Sequence, residues 1–395
     1  MKWSTVPIGQ VCLETAQRDP RTAPSRSIRY VDLSAIDRES KSIVTSAEIQ
    51  GIDAPSRARK EIRTEDVLVS TVRPNLNAVA IVPEELDGEL ASTGFCVLRA
   101  DRRHVHPRFL FYRVQCDDFV RFLVQRVSGA NYPAVSDSIV KDSPVPLPPL
   151  AEQERIVRIL DEAEELLKLR VEADRRTADL IPALFHDMFG DPATNLKRWQ
   201  VIRMSDLFEI RPNYGTMIPP KNEERKWLDI RVANIQNGML DLSDRKYVDL
   251  PDDMIPRHTV KDGDLLLARA IGSLEHLGKC IIVYPDEAKW SFDSHLMRVR
   301  LLKDRALPEM VHGFLTSASG RRSFLNMTRN SAVQFNINTK EFGSISLPLP
   351  PLSLQREFAA RVAGVRTMEA QQAESRHRLD DLFHSLLHRA FSGEL

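Results

Sequence analysis

The stretch PVPLPPLAEQERI, which begins at Pro144, recurs as SLPLPPLSLQREF, which begins at Ser346. The offset between the copies is 202 positions, and the correspondence continues into the segment behind each string. The matched positions are Pro148, Pro149, Leu150 and Gln153, which recur as Pro350, Pro351, Leu352 and Gln355. A period of this length is far too long for a solenoid repeat. We therefore interpret the chain as two copies of one larger unit.

The segments in front of the two strings also correspond, although more loosely. YVDLSAI at 30–36 matches DIRVANI at 229–235, and EDVLVSTVR at 65–73 matches GDLLLARAI at 263–271. Each copy is thus predicted to be a globular domain followed by a long helix. The boundaries we expect are 1–149 and 190–350 for the two domains, and 150–189 and 351–395 for the two helices.

Both domains are predicted to mix strands and helices. Short runs such as VLVSTV and KCIIVYP are rich in Val and Ile and are bounded by turn residues, which is typical of strands. Helical patterning is present near 108–127 and 308–327. The fold class that we expect is therefore α+β, with two similar α/β domains.

Apolar residues in the two long helices recur at alternating steps of four and three, which is a heptad pattern. The pattern is apolar at both ends and polar in the centre. Each helix could lie on its own domain, or the two could pair, and an antiparallel pair would match apolar ends with apolar ends. We favour the antiparallel pair. Pro182 should end or kink the first helix near Ile181, because proline cannot donate the helical hydrogen bond.

Composition excludes several classes of protein. The 395 residues suggest two or three domains, and 55 basic residues balance 55 acidic ones, so total charge does not indicate nucleic-acid binding. The sequence has no run of eighteen apolar residues, so no membrane span is predicted. Its first residues lack the apolar stretch of a signal peptide. The four cysteines form no C-x-x-C pair, which argues against a zinc ribbon or a disulfide framework. A reducing cytoplasm is the expected compartment.

The repeated unit of a domain, a proline string and a long helix resembles a known protein family. A domain that ends in PLPPL-x-x-Q and a long helix, with the whole unit repeated, resembles the specificity subunit of type I restriction–modification systems. WLDIRVANIQNGMLDL at 227–242 and GDLLLAR at 263–269 also match the style of that family. The resemblance covers essentially the whole chain. One departure is that the first copy has AEQER, the usual wording, whereas the second has SLQRE.

The resemblance implies a non-catalytic protein. Each variable domain would be a target-recognition domain, and the two helices would form an antiparallel coiled coil that spaces them. Such a chain recognises an asymmetric, bipartite site on double-stranded DNA for host defence. It assembles two methyltransferase (modification) subunits and then motor–endonuclease (restriction) subunits. S-adenosylmethionine, ATP and Mg would be bound by those partners, and no cofactor by this chain.

The sequence lacks the motifs that the relevant catalytic activities would need. An adenine methyltransferase needs a Pro-Pro-aromatic motif to hold the flipped base, and neither N-P-P-Y nor D-P-P-Y occurs. GSLEHLGKC at 272–280 has the wrong glycine spacing for a phosphate-binding loop and ends in Cys280 instead of Ser or Thr. His384 and His388 lack the adjacent Glu of a zinc protease motif. We therefore predict no catalytic residue and no metal site.

Candidate DNA-reading residues are chosen by side-chain type. Arg pairs with guanine, and Asn or Gln with adenine, in the major groove, so loops rich in these residues are candidates. In the first domain they are Arg73, Asn75, Asn77, Arg126, Asn131 and Tyr132. In the second domain they are Arg211, Asn213, Tyr214, Arg269, Ser273, His276, Arg329, Asn330, Gln334 and Asn336. The alternative is that Asn and Gly in these loops only form turns.

The repeated helix starts are candidate surfaces for a partner that binds in two copies. The residues concerned are Gln153, Arg155, Gln355 and Arg356. A helix of about 30 to 37 residues spans roughly 45–55 Å, so we expect half-sites separated by a fixed gap. Two other interpretations stay open: a stand-alone two-domain DNA-binding protein, and a coiled-coil adaptor that binds only protein.

Overall fold

A computed structural model of the chain describes residues 3–129, 133–236, 238–273, 276–285, 289–330 and 335–395. The chain divides into two compact units. The first unit is Met1–Val171 with Glu374–Leu395, and the second unit is Glu172–Ala373. The chain thus passes from one unit to the other within long helices, so each unit contains parts of both helices.

The first unit is built on two four-stranded sheets. One sheet has the strand order Ala47–Gln50, Ser27–Val31, Leu90–Ser92 and Ala58–Glu61, and the other has Cys12–Leu13, Phe95–Ala100, Val67–Ser70 and Val79–Ile81. Two short pairs join Thr5–Pro7 to Pro144–Pro146 and Ile36–Asp37 to Ser42–Ile43. The helices of this domain are Pro107–Arg113, Asp117–Val124 and Asp137–Lys141.

The described part of the second unit has a related plan, with one four-stranded and two three-stranded sheets. Its main sheet has the order Phe208–Tyr214, Leu296–Leu301, Asp264–Ala268 and Cys280–Val283. Two three-stranded sheets contain Tyr247–Val248, Trp227–Ile230 and Trp290–Phe292, and Ala270–Ile271, Phe335–Asn336 and Arg329–Asn330. Gln200–Arg203 pairs with Ser346–Leu349, and Ile235–Gln236 pairs with Met239–Leu240. The shorter helices are Leu180–Phe189, Ile255–His258, Pro308–Thr316, Ala318–Asn326 and Thr339–Gly343.

The first long helix is Leu150–Ala178 and the second long helix is Leu352–Ser392. Each begins directly after the proline string that repeats in the sequence, where the missing N–H of proline costs no helical bond. The helical pattern of the first copy breaks after Ala178 and resumes at Leu180, so the predicted break at Pro182 is confirmed a few residues early. Pro182 lies in the first turn of the new helix, where an N–H would have no helical partner.

The two long helices pair in antiparallel fashion. In the first unit Leu387 and Ala390, near the end of the second helix, join a core with Ile156 and Leu160, near the start of the first. In the second unit Phe358, near the start of the second helix, packs against the rings of Phe185 and Phe189, with centroid distances of 5.9 and 5.0 Å. These two rings belong to the helix Leu180–Phe189, which follows the first long helix after the break. The predicted fold class and helix pairing are confirmed.

The polar centre of the heptad pattern is also used for pairing. In the second unit the Gln372 side-chain amide donates to the Thr177 hydroxyl at 2.9 Å. Thr177 is buried, and its hydroxyl also donates to the Ala173 carbonyl at 3.0 Å, so this hydroxyl is satisfied both as donor and as acceptor. A polar pair between two helices specifies their register more than it adds stability.

Candidate nucleic-acid interface

In the first unit two candidate segments lie side by side. Val72 forms a β-bridge with Ala134, and the Arg73 N–H donates to the Pro133 carbonyl at 2.8 Å. Ala134 also bridges Ser128, so the segment after the helix Asp117–Val124 folds back next to the loop that contains Arg73. Segments about sixty residues apart in the sequence therefore form one loop cluster.

The predicted residues of this cluster differ in orientation. Arg73 and Asn75 are exposed, and Arg126 is exposed with its guanidinium 3.7 Å from the centre of the Phe122 ring. Asn77 is half-buried in a left-handed conformation (φ 42°), and its side-chain amide donates to the Gln115 carbonyl at 3.3 Å. Asn77 therefore has the turn-forming role of the alternative interpretation. Asn131 and Tyr132 lie outside the described residues.

In the second unit three segments converge. Ala270 pairs with Asn336, which also pairs with Arg329, so the loop after the main sheet meets a β-ribbon. The Arg269 guanidinium carbon lies 4.0 Å from the centre of the Tyr214 ring. The Tyr214 hydroxyl accepts a hydrogen bond from the Thr339 N–H at 3.3 Å. The strand that carries Tyr214 is thereby joined to the same cluster.

The remaining candidate residues of the second unit differ in their solvent exposure. Arg211 is exposed on the strand that leads to Tyr214, whereas Ser273 and His276 are partly buried. Asn213 donates to the Arg257 carbonyl at 2.7 Å and to the Tyr214 carbonyl at 3.0 Å, so its amide holds two segments together. Arg329 and Asn330 form a strand, but their side chains lie outside the described residues, as does Gln334.

The two loop clusters have the same backbone design. The Thr71 N–H donates to the Gly94 carbonyl at 2.9 Å, and the Thr71 carbonyl accepts from the Val135 N–H at 2.9 Å. In the second unit Arg269 repeats this arrangement, donating to the His295 carbonyl at 2.8 Å and accepting from the Ile337 N–H at 3.0 Å. Thr71 and Arg269 therefore occupy equivalent places with different side chains. One scaffold presents two different sets of side chains.

A buried ion pair fixes the main strand of each unit in the same way. The Arg99 Nε and Nη2 contact the Asp66 carboxylate at 2.9 and 2.7 Å. The Arg300 Nε and Nη2 each contact the Asp264 carboxylate at 2.7 Å. Both carboxylates are almost fully buried, and two parallel charge-assisted bonds hold a strand in one orientation. The loops that follow these strands are thus carried on rigid elements.

The partner-binding role predicted for the repeated glutamines, Gln153 and Gln355, is corrected by their burial. Gln153 is fully buried: its Oε1 accepts from the His106 N–H at 2.8 Å, and its Nε2 donates to the carbonyls of His104 and Pro148 at 2.9 Å. Gln355 is equally buried and makes the same three bonds, to the Leu307 N–H at 2.9 Å, the Arg305 carbonyl at 3.3 Å and the Pro350 carbonyl at 2.8 Å. These glutamines connect each helix to its own domain and cannot contact a partner through their side chains.

The two candidate arginines at the helix starts are accessible. Arg155 is partly exposed; it donates to the Glu152 carboxylate at 2.9 and 2.8 Å and to the Leu395 carbonyl at 2.9 Å. Arg356 is exposed. The prediction of partner contact therefore remains for Arg155 and Arg356 alone.

One buried carboxyl was not foreseen from the sequence. Asp229 is 1% exposed, and neither of its oxygens has a hydrogen-bond partner among the described residues. Burial raises the pKa of Asp229 to about 7, and the Asp293 carboxyl adds to the rise by charge repulsion. The sequence around an Asp in a strand does not tell whether its carboxyl is buried or exposed, so this burial could not be predicted.

Neither a metal centre nor a membrane span is found in the part of the chain that the structure describes. No group of three or more His, Cys, Asp or Glu residues there could hold a metal ion. No helix among those residues is both long and apolar enough to cross a bilayer.

The duplicated domain, the antiparallel helices and the paired loop clusters define a two-domain recognition protein. The family model of the type I restriction modification DNA specificity domain matches residues 2–173 and 197–368. These matches span more than half of the chain, and the chain belongs to this family. Within it the chain is a specificity subunit with two target-recognition domains, and it is not itself catalytic.

Curated relatives and solved structures agree with this placement. The chain is 26% identical to the EcoKI specificity subunit of Escherichia coli (strain K12) over 368 residues, which is 85% of this chain and 76% of that protein. It is 22% identical to the StySPI specificity subunit of Salmonella potsdam over 364 residues, with the same coverage. A chain from a structural study of complex assembly and conformational transition of the type I R-M system is 29% identical. It superposes with a TM-score of 0.64, over 100% of this chain and 98% of that one. The S subunit from M. genitalium, 14% identical over 99% of this chain and 96% of that one, shares the fold with a TM-score of 0.54.

Proposed function

We propose that this chain binds double-stranded DNA at an asymmetric, bipartite site, with one loop cluster on each half-site. The observation that carries the proposal is the equivalence of Thr71 and Arg269, which have the same backbone bonds and different side chains. Two similar scaffolds, of which one places Arg269 at the loop cluster and the other the inward-bonded Thr71, are suited to two different half-sites. The side chains at the clusters, chiefly Arg, Asn and Tyr, are types that contact bases and phosphates.

The same proposal includes the assembly of partners. The starts of the two long helices are built alike, because each is connected to its domain by the same three glutamine bonds. Two similar surfaces suit two copies of a modification subunit. Each start carries one Arg next to one Glu, in the order Glu154–Arg155 in the first helix and Arg356–Glu357 in the second. Restriction subunits would then join the complex.

The chemistry of the complex is assigned to the partners. Adenine methylation needs a base-holding Pro-Pro-aromatic motif, and the sequence of this chain has none. The modification subunits would therefore bind S-adenosylmethionine. The motor–endonuclease subunits would bind ATP and Mg, and the complex would act in the cytoplasm.

The experiment is purification of this chain with the modification subunit of the same system. Native mass spectrometry is expected to give two modification subunits for each specificity subunit. The complex should also select one asymmetric, bipartite duplex from a randomised library. A complex that forms but selects no sequence would favour the protein-only adaptor. Sequence-selective binding by the chain without any partner would favour the stand-alone DNA-binding protein.

A further inference from the structure

Arg269 is held in one orientation from several sides. Its backbone is fixed by His295 and Ile337, as described above, and its Nε donates to the Ser294 carbonyl at 3.0 Å. Its guanidinium lies over the ring of Tyr214. A flexible arginine loses much side-chain entropy when it binds, and an arginine that is already ordered loses less.

Tyr214 is in turn fixed by its neighbours. The Thr339 N–H donates to its hydroxyl, and the Asn213 side-chain amide donates to its carbonyl. The stacked pair therefore joins three segments: the strand Phe208–Tyr214, the loop after Asp264–Ala268 and the start of the helix Thr339–Gly343. Stacking of an arginine on an aromatic face leaves the guanidinium edge to make hydrogen bonds.

The equivalent place in the first unit lacks these properties. Thr71 is 7% exposed, and its hydroxyl donates inward to the Gly94 carbonyl at 2.8 Å. Because the backbone bonds of Thr71 and Arg269 are the same, the difference between the units here lies in the side chain. A position with shared geometry and different chemistry is where two half-sites can be distinguished.

We propose that Arg269 recognises a guanine of the half-site bound by the second unit, with Tyr214 as its positioning residue; this rests on the proposed function. Since Nε is engaged by Ser294, the contact to guanine O6 and N7 uses the two Nη groups in the major groove. The first unit makes no corresponding contact from Thr71, so its half-site is read by other side chains.

The test uses the complex of this chain with its modification subunit. The wild-type target is mapped first, and methyl transfer is then measured on duplexes in which each base pair of the target is replaced in turn. Arg269→Gln and Arg269→Ala should reduce discrimination at one G·C pair of one half-site by roughly ten- to a hundredfold. Discrimination in the other half-site should not change, which also shows that the complex is folded.

Positioning by Tyr214 has its own readout. Tyr214→Ala should reduce discrimination at the same G·C pair, and Tyr214→Phe, which keeps the aromatic face, should restore most of it. Arg245→Gln is the matched control for lost charge, because Arg245 is exposed in the second unit and donates only to the nearby Leu242 carbonyl at 3.3 Å in the described structure.

Three results would overturn the proposal: an unchanged target, a uniform loss of rate on every duplex, or changes in both half-sites. A uniform loss would make Arg269 a phosphate contact. A wild-type complex that methylates no defined motif would instead refute the proposed function itself, and this outcome is seen before any substitution is made.

Discussion

Substitution of Gln153 by Ala should weaken the attachment of the first long helix to its domain. Three groups lose their partner: the His106 N–H, the His104 carbonyl and the Pro148 carbonyl. The bond to Pro148 is buried, and a buried unpaired group costs about 1–3 kcal/mol. The other two groups are only partly buried and can recover water, so we assign about 1 kcal/mol to each. The expected loss of stability in the first unit is about 3–5 kcal/mol.

Hydrogen exchange with mass spectrometry is the suitable assay, because it reports each unit separately where a single unfolding transition would not. The rate of amide hydrogen exchange should increase at residues 104–106 and 148–160 and should stay constant in the second unit. Gln355→Ala should give the mirror result in the second unit. Glu154→Ala is the matched control, since Glu154 is exposed on the same turn and should change stability by less than about 0.5 kcal/mol. A Gln153→Ala variant as stable as this control would refute the reasoning.

Three further predictions concern the carboxyl, the helix starts and the helix length. Asp229→Asn should stabilise the second unit: the raised pKa means that ionising Asp229 costs stability progressively from about pH 4 to about pH 7. Thermal unfolding should therefore show a larger gain at pH 8 than at pH 5, and an equal gain at both would contradict it. Arg155→Ala with Arg356→Ala should weaken copurification of the modification subunit, while hydrogen exchange stays unchanged in each unit except next to Leu395, whose carbonyl loses the Arg155 bond. Full copurification would count against these contacts. Insertion of about four residues, close to one turn, into each long helix should lengthen the gap between half-sites by roughly two base pairs. Methylation mapping would contradict this if the half-sites changed and the gap did not.

The repeat in the sequence predicted the elements that depend on local pattern. The proline strings located the starts of both long helices, at Leu150 and Leu352. The heptad pattern, apolar at its ends, predicted antiparallel pairing of the helices. In that arrangement Phe358, near the start of the second long helix, is buried against Phe185 and Phe189, which lie near the end of the helical segment of the first copy. Periodicity is a property of the backbone geometry, so it can be recognised without a structure.

Side-chain direction could not be predicted in the same way. Gln153 and Gln355 were assigned to a partner surface because they repeat, yet they repeat because the same three backbone groups need partners in each unit. Asn77 and Asn213 have the residue type of base readers, but their amides bond to nearby carbonyls. Whether an amide faces inward or outward depends on contacts between segments distant in the sequence.

Mapping of methylated adenines in cells that express the modification subunit with and without this chain tests its role as specificity subunit most directly. We predict methylation confined to one asymmetric, bipartite motif, present only when this chain is expressed. Replacement of the second unit's reading residues should alter one half of that motif. Methylation that is absent with both proteins present, or that has the same pattern without this chain, would contradict its role as the specificity subunit.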